Sequence, residues 1–305
     1  MDKLIGAIDS LRRQSYPQES FELVIVDDGS TDGTLNWLEK NSREDSWLSY
    51  YSQDHSGPAV ARNLAAGKAR GEILLFMGDD IIASDDLIRK HIRAFDKMGG
   101  RTAVQGGVKL APGVNRTRFV RYLDERSAAQ FQLNHAKRGD SLHFSMLYTC
   151  NCSFPKRLLL DCGGFPTDVI YYDDTFLGWK LAQKSIPIIY EPEAEVFHDH
   201  AQTLDEFLAR QKQAGKDAAV LAAKHPELRA SLRVDQTTVF EGHPFSIAKK
   251  AVKKVIFNRL STPIMKKIAS CSLLPFSWAS FIYSGLIGYE HRKSAGAALA
   301  QNRRR

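Results

Sequence analysis

Apolar positions follow two rhythms along the first hundred residues. Short unbroken runs, LVIV at 23–26 and ILLFM at 73–77, alternate with longer stretches in which apolar residues recur every three or four positions. Unbroken runs suit strands buried on both faces, and the longer period suits helices with one buried stripe. The pattern predicts helices over 3–14, 32–44, 57–70 and 85–98, and strands over 22–27, 48–52, 73–77 and 103–109. A second apolar and helical section follows over 147–197. Strands alternating with helices predict an α/β fold built from βα units around a mostly parallel sheet.

Composition narrows this picture without redirecting it. With 305 residues, 43% hydrophobic and 25% charged, the chain has the means to bury a full core, as one large domain or as a domain with an appendage. The net charge of +7 is concentrated after about residue 245, in IAKKAVKKVIF, MKKIAS, HRKSAG and the final NRRR. Two regions are therefore expected, the first over 1–225 and a basic helical C-terminal region over 226–305. A nucleic-acid binder would interleave basic residues with aromatics along its core, and this core does not, so no nucleic acid is expected as a partner. Residues 268–289 carry no charge and follow Lys266 and Lys267. Pro275, several serines and two glycines argue against a membrane span there. An interfacial or protein-packed helical hairpin is expected instead, with the lysines of 249–254 toward an anionic membrane surface, a candidate partner set against a merely solvated charged face. Four cysteines, at 150, 152, 162 and 271, are too few and too unevenly placed for a disulfide framework, and reduced buried thiols fit better than a metal site. The N-terminus lacks the apolar core of a signal peptide, so a reducing cytoplasmic setting, with peripheral attachment to the inner face of a membrane, is the expectation.

Two of the strands end alike. LVIV runs into Asp27 and Asp28, and EILLFM into Gly78, Asp79 and Asp80. Ligands of a helix-covered sheet bind beyond the carboxyl ends of its strands, and neighbouring strand side chains face opposite ways. One acid of each pair is thus expected to enter a pocket. Convergent acids suit a hard cation such as Mg²⁺ or Mn²⁺, or the polar atoms of a nucleotide. The plainer alternative is helix capping by Asp28, Ser30 and Asp32, with Gly29 and Gly33 in the turn; for Asp32 the capping role is preferred. For Asp27 and Asp80, at apolar strand ends, a functional role is preferred.

At this point the residues match a family. VDDGSTDGT (26–34), GPAVARN (57–63), LLFMGDDI (74–81), GGF (163–165) and YYDDTFLGWKL (171–181) come in the order and spacing of GT-A fold nucleotide-sugar glycosyltransferases. They resemble most closely the inverting glycosyltransferase family 2, over roughly 1–225. The resemblance implies a GT-A fold, a nucleotide-diphospho-sugar donor, a divalent metal (Mg²⁺ or Mn²⁺) and an acceptor hydroxyl on a saccharide, a lipid-linked or another molecule. It implies that Asp27 hydrogen-bonds the nucleoside base with Arg62 beside it. It also implies that Asp80, the last acid of the family's D-x-D motif, binds the metal. Here the first acid of that motif is Gly78, which leaves the ribose contact open, with Asp79 a candidate to replace it. In EPEAEVFHDH (191–200) the family's spacing from the proline selects His198 over His200 as a second metal ligand, against the alternative of exposed strand-end histidines. The family's Glu-Asp pair is Asp173-Asp174 here, so the catalytic base maps to Asp174 and the donor side of the pair to Asp173. Helix capping is the competing role for both.

The implied reaction is a metal-assisted single displacement that moves a sugar to the acceptor hydroxyl with inversion. A glycoside hydrolase also uses two carboxylates but leaves the strand-end acids without a task. A non-catalytic relative that only binds the nucleotide-sugar is the alternative that Gly78 keeps open. One element is missing from the pattern. The family places a strand just before the helix of 3–14, and this chain begins almost at that helix. A chain truncated at its N-terminus is the expectation, and direct pairing of the strands of 22–27 and 73–77 is the alternative.

Overall fold

The protein was analysed as a computed structural model, which describes residues 1–126, 131, 133, 135–234, 256–271 and 273–302. It forms two compact units. One comprises Met1–Val114, Phe131–Asp168 and Asp173–His200, and the other Asn115–Gln130, Val169–Tyr172 and Ala201–Arg305. In chain order the helices are α1 (Asp2–Arg12), α2 (Thr34–Glu44), α3 (Pro58–Lys68), α4 (Leu87–Lys97), α5 (Arg118–Arg126), α6 (Lys156–Asp161), α7 (Asp173–Gln183), α8 (Leu204–Lys224), α9 (Thr262–Ala269) and α10 (Phe276–Asn302). The strands are β1 (Leu23–Asp27), β2 (Leu48–Ser52), β3 (Ile73–Met77), β4 (Ile81–Ala83), β5 (Ala103–Leu110), β6 (Asn151–Pro155) and β7 (Ile188–His198). The first four helices and the strands over 23–27, 48–52, 73–77 and 103–110 follow the expected periodicities to within about two residues.

The α/β class holds, and the first unit contains every strand among the described residues. Its sheet is mixed where a mostly parallel one was expected. Strand β1 pairs in parallel with β2 alone. The other five strands run in the order β3-β6-β5-β7-β4. Of their pairings only β5 with β7 is parallel; β3 with β6, β5 with β6 and β4 with β7 are antiparallel. The reversal comes from the long excursion between β5 and β6, which returns the chain in the opposite direction, something apolar runs do not encode. Strands β1 and β3 do not close up into a direct pair, and each keeps one edge without a strand partner among the described residues. As a result Leu23, Val24, Ile25 and Val26 are only partly buried, although their run reads as a strand covered on both faces.

Strand β7 shifts register against β5 between Gly106 and Gly107. A Cβ at Gly106 would lie 2.1 Å from Asn151 Nδ2, so only glycine allows this approach. Asn151 Nδ2 donates to the carbonyls of Gly107 (2.9 Å) and Ala194 (2.8 Å), and its Oδ1 lies 3.0 Å from His91 Nε2. His91 Nδ1 in turn lies 2.7 Å from Ser153 Oγ. All three side chains are buried, and the chain of bonds ties α4 to the bulged strands. The largest apolar core cluster of this unit includes Leu147, Phe154, Phe165, Leu177 and Leu181.

The second unit is helical. Helix α8 opens on a capping box, with Thr203 Oγ1 accepting from Glu206 N and Glu206 Oε2 accepting from Thr203 N. It packs on α10 so closely at Gly215 that a Cβ there would meet the His291 carbonyl at 2.3 Å. Phe119, Phe207 and Tyr283 stack edge to face in its core. Helix α8 groups with the C-terminal helices, residues 115–130 and 169–172 join them, and the last segment of the strand-bearing unit ends at residue 200. No helix among the described residues is long and apolar enough to cross a membrane. The lysines of 249–254 and the arginine tail lie outside the described residues.

Candidate active site

Every residue singled out as a site candidate lies in the strand-bearing unit. Asp27 ends β1 and is 6% exposed. Its Oδ2 accepts from Ser30 N at 3.2 Å, while Oδ1 is buried with no hydrogen-bond partner. A buried carboxylate oxygen left unpaired is costly, and a ligand donor is the usual remedy. Asp28 does the opposite. Its oxygens accept from Gln53 Nε2 (2.7 Å), Ser56 N (2.8 Å) and Gly57 N (2.9 Å). Burial pushes the Asp28 pKa up, but these bonds outweigh it and hold the carboxyl below the usual range. Asp28 thus shapes the turn that opens α3. Asp32 accepts from Thr34 N (3.2 Å) and Thr34 Oγ1 (2.6 Å) and pairs with the N-terminal ammonium at 2.8 Å, but it is not the N-cap expected of it, because Gly33 holds that position and no side chain caps α2.

Beyond β3 the chain places Asp79 in solvent, where its charge acts on the N-terminal ammonium, and turns Asp80 inward. Asp80 Oδ2 lies 3.5 Å from His198 Nε2, with the two side chains 26% and 13% exposed. Backbone pairing sets this meeting: Ile81 is registered on His198, and Asp199 N donates to the Asp80 carbonyl at 2.8 Å. His200 lies past the end of β7, with Nδ1 2.8 Å from Lys3 Nζ. No group of three or more histidine, cysteine or acidic residues is arranged to hold a metal among the described residues. A carboxylate and an imidazole side by side fit a divalent ion that completes its shell from a diphosphate.

The ARN and DD segments meet. Arg62, on α3, donates to Asp173 Oδ2 at the start of α7, and its guanidinium lies 5.8 Å from the Phe165 ring centroid. Asp173 is 5% exposed, whereas Asp174 is half-buried with Oδ1 accepting from Thr175 N at 2.6 Å. Arg62 therefore holds Asp173. Next to it Asn63 makes a two-way clamp on the GGF segment, Nδ2 donating to the Phe165 carbonyl (2.9 Å) and Oδ1 accepting from Phe165 N (2.8 Å). Gly164 has φ of 78° there, and a Cβ would stand 2.7 Å from Asn63 Oδ1. Neither partner of ARN was read from the sequence, since both lie more than a hundred residues away and no local pattern pairs them.

Cys150 lies within electrostatic reach of two of these acids. Burial, reinforced by the charges of Asp174 and Asp80, pushes its thiol pKa far up, so it stays a neutral, unreactive thiol. Cys152 and Cys162 are buried as expected, and Cys271 is exposed. Asp80, Asp174 and Arg62 all act electrostatically on Cys150, which relates the turn after β3, the start of α7 and α3 to one another.

The comparisons with known proteins agree. The model of the family described as "Glycosyl transferase family 2" matches residues 2–155. The uncharacterized glycosyltransferase YfnE of Bacillus subtilis is 37% identical over 95 residues, 31% of this chain and 24% of that one. The pre-mycofactocin glycosyltransferase of Mycobacterium tuberculosis is 26% identical over 225 residues, 73% of this chain and 47% of that one. The chain thus spans less than half the length of these curated relatives. Among solved structures, the mannosyltransferase PcManGT of Pyrobaculum calidifontis, in complex with GDP-Man and Mn²⁺, superposes with a TM-score of 0.61 at 19% identity, covering 99% of this chain and 84% of that one. Staphylococcus aureus TarS 1–349 in complex with UDP gives 0.54 at 16% identity, with 99% and 87% covered. At such identities these two likenesses show the fold alone.

Proposed function

The chain belongs to glycosyltransferase family 2, and from that membership we propose that it transfers a sugar from a nucleotide-diphospho-sugar to an acceptor hydroxyl, with inversion at the anomeric carbon. The observation that carries the reading is the approach of Asp80 to His198 at 3.5 Å, which brings a carboxylate and an imidazole remote in sequence side by side beyond the end of β3. Asp80 and His198 would hold a divalent metal, Mg²⁺ or Mn²⁺. When bound, the metal supplies positive charge against the leaving diphosphate. The unpaired Oδ1 of Asp27 accepts a donor of the nucleoside base. Asp79, exposed beyond β3, is the group available to the ribose.

Asp174 takes the proton of the acceptor hydroxyl as that oxygen forms its bond to the anomeric carbon. The bond to the diphosphate breaks on the opposite face, and the diphosphate leaves with the electron pair. Arg62 fixes Asp173, and through it the first turn of α7 that carries Asp174. A base used late in bond formation needs only an ordinary carboxylate basicity. The acceptor is a saccharide, a lipid-linked or another hydroxyl compound, and the cysteine inventory fits a reducing, cytoplasmic site.

The reading is tested by a thermal-shift screen of UDP-, GDP- and dTDP-sugars with and without Mn²⁺. A Mn²⁺-dependent rise in melting temperature with one donor class is the expected result, and no response to any donor refutes it. A second reading, a relative that binds the donor without transfer, is favoured by Gly78, where the family carries an acid. A Cβ at that position would come 2.9 Å from Asp80 Oδ1, so Asp80 itself occupies the space beside Gly78. Metal-dependent release of the nucleoside diphosphate from the responding donor separates the two.

A further inference from the structure

Among the described residues, five of the ten exposed large hydrophobic side chains lie between residues 260 and 278, all in the helical unit. They are Leu260 (84% exposed), Ile264 (58%), Ile268 (37%), Leu273 (91%) and Trp278 (63%). Their order has a physical basis. Ile264 and Ile268 are four apart on α9, turned about 100° around the helix from Met265 and Ala269, which pack into the core with Phe119 and Tyr283. The turn that presents Leu273 is anchored, because Arg118 donates to the carbonyls of both Cys271 and Leu274, and Tyr283 Oη donates to the Ala269 carbonyl at 3.1 Å. An exposed leucine on a floppy loop is unremarkable in a soluble protein, but this one is held outward by a fixed backbone.

Charge accompanies the apolar face. The described stretch from 256 to 289 contains Arg259, Lys266 and Lys267 and no acid, and the sequence just before it adds Lys249, Lys250, Lys253 and Lys254, again without an acid. Arg121 and Arg126 lie over the Phe276 ring, at 4.5 and 5.0 Å from its centroid. Lys266 pairs with Asp205 and Arg121 with Glu125, while Arg259 and Lys267 join the basic excess of the same stretch. Exposed apolar side chains in a stretch rich in cations match the two layers of a lipid interface, acyl boundary and anionic headgroups. A second copy of the chain would bring the same cations face to face.

We propose that α9, Leu273 and the start of α10 form a docking surface for an anionic bilayer, with Ile264, Ile268, Leu273 and Trp278 entering the interface. The surface acts whatever sugar is transferred, so its test does not depend on the catalytic reading. The full chain is mixed with phosphatidylcholine vesicles, either pure or containing about one-third phosphatidylglycerol, and floated on a gradient. Binding is expected to the anionic vesicles only, and to be lost at about 0.5 M salt. Trp278 emission is expected to move to shorter wavelength on binding. Leu273→Glu and Ile264→Glu, both at exposed positions, are each expected to weaken binding by roughly tenfold, the effect of keeping one apolar side chain in water. Their melting temperatures, measured alongside, are expected to match the parent. No binding to anionic vesicles, binding undiminished in both variants, or a concentration-dependent dimer that the variants abolish in the absence of vesicle binding would each overturn the proposal.

Discussion

Asp173 and Asp174 are adjacent, and changing each to asparagine separates catalysis from scaffolding. Asp174→Asn removes the proton acceptor of the transferred hydroxyl, which is needed only in the transition state. A general base supplies a factor of about 10² to 10⁴, equivalent to roughly 3 to 5 kcal/mol of barrier at about 1.4 kcal/mol per tenfold. Asp174 is half-buried and bonded to its own neighbour Thr175, so asparagine preserves its packing, and little change in stability is expected. Asp173→Asn acts on the ground state. It leaves the Arg62 guanidinium, 29% exposed, facing a neutral amide in place of a carboxylate that is 7% exposed. Breaking a fully buried pair costs about 3 to 5 kcal/mol. Water reaches Arg62 here, which lowers the cost to roughly 1 to 3 kcal/mol, or a drop of roughly 5 °C in melting temperature. The assay is initial-rate release of nucleoside diphosphate with saturating donor, run beside thermal melts and donor titrations. The expected pattern is a large kcat loss with unchanged melting for Asp174→Asn, and a smaller kcat loss with lower melting for Asp173→Asn. A greater kcat loss in folded Asp173→Asn than in Asp174→Asn would refute the assignment.

Three further outcomes follow from the same geometry. Asp80→Ala and His198→Ala are each expected to abolish the Mn²⁺-dependent tightening of nucleoside diphosphate binding while leaving the melt intact, as read by calorimetric titration with and without the metal. Asp27→Asn is expected to weaken nucleotide binding by about ten- to hundredfold, the loss of a charged hydrogen bond; its melting temperature should not fall, since in the unliganded protein Oδ1 is buried without a partner. His91 gives the fold an acid limit: burial lowers its pKa from the ordinary 6.5 to about 4. The unfolded chain therefore binds the proton first, and stability is lost as pH falls from 6.5 toward 4, by up to roughly 3 kcal/mol. Urea unfolding at pH 7.5, 6 and 5 measures the slope, and His91→Gln is expected to flatten it, with His291, also lowered to about 4 by burial, contributing the remainder.

What was legible in the sequence was local. The LVIV and ILLFM runs and their terminal acids, the turns at Gly29 and Gly33 and the start of α7 at Asp173 all appear where periodicity and turn chemistry put them. The meeting of Asp80 with His198 was reached through family spacing, and the register of β4 on β7 gives its physical cause. Partner choice over long distances was not legible. Nothing near Arg62 indicates Asp173, nothing near Asn63 indicates Phe165, and the glycines at 106 and 107 show their purpose only once Asn151 is brought against them. The direction of β6 was missed for the same reason. An apolar run records burial but not which neighbour supplies it, and so β1 and β3 read as covered strands yet each has one edge without a strand partner among the described residues.

The three acidic pairs share one logic. Two carboxylates adjacent in sequence cannot both enter a small pocket as anions without mutual repulsion, which raises the pKa of one of them. At each site the chain separates the pair. At 27–28 the strand end turns Asp28 onto the backbone of 56–57 and leaves Asp27 with an unpaired oxygen. At 173–174 the guanidinium of Arg62 neutralises Asp173, and Asp174 remains half-exposed. At 79–80 the turn after β3 leaves Asp79 in solvent and puts Asp80 beside an imidazole. In the first two pairs one acid is committed to the scaffold, while in the third the outer acid is simply solvated. Gly78 fits this arrangement, because a third acid there would crowd Asp80, whose Oδ1 already lies 2.9 Å from where its Cβ would be. Replacing Gly78 with the acid usual in the family would therefore displace the one carboxylate that meets His198, unless a cation drew both into its own shell.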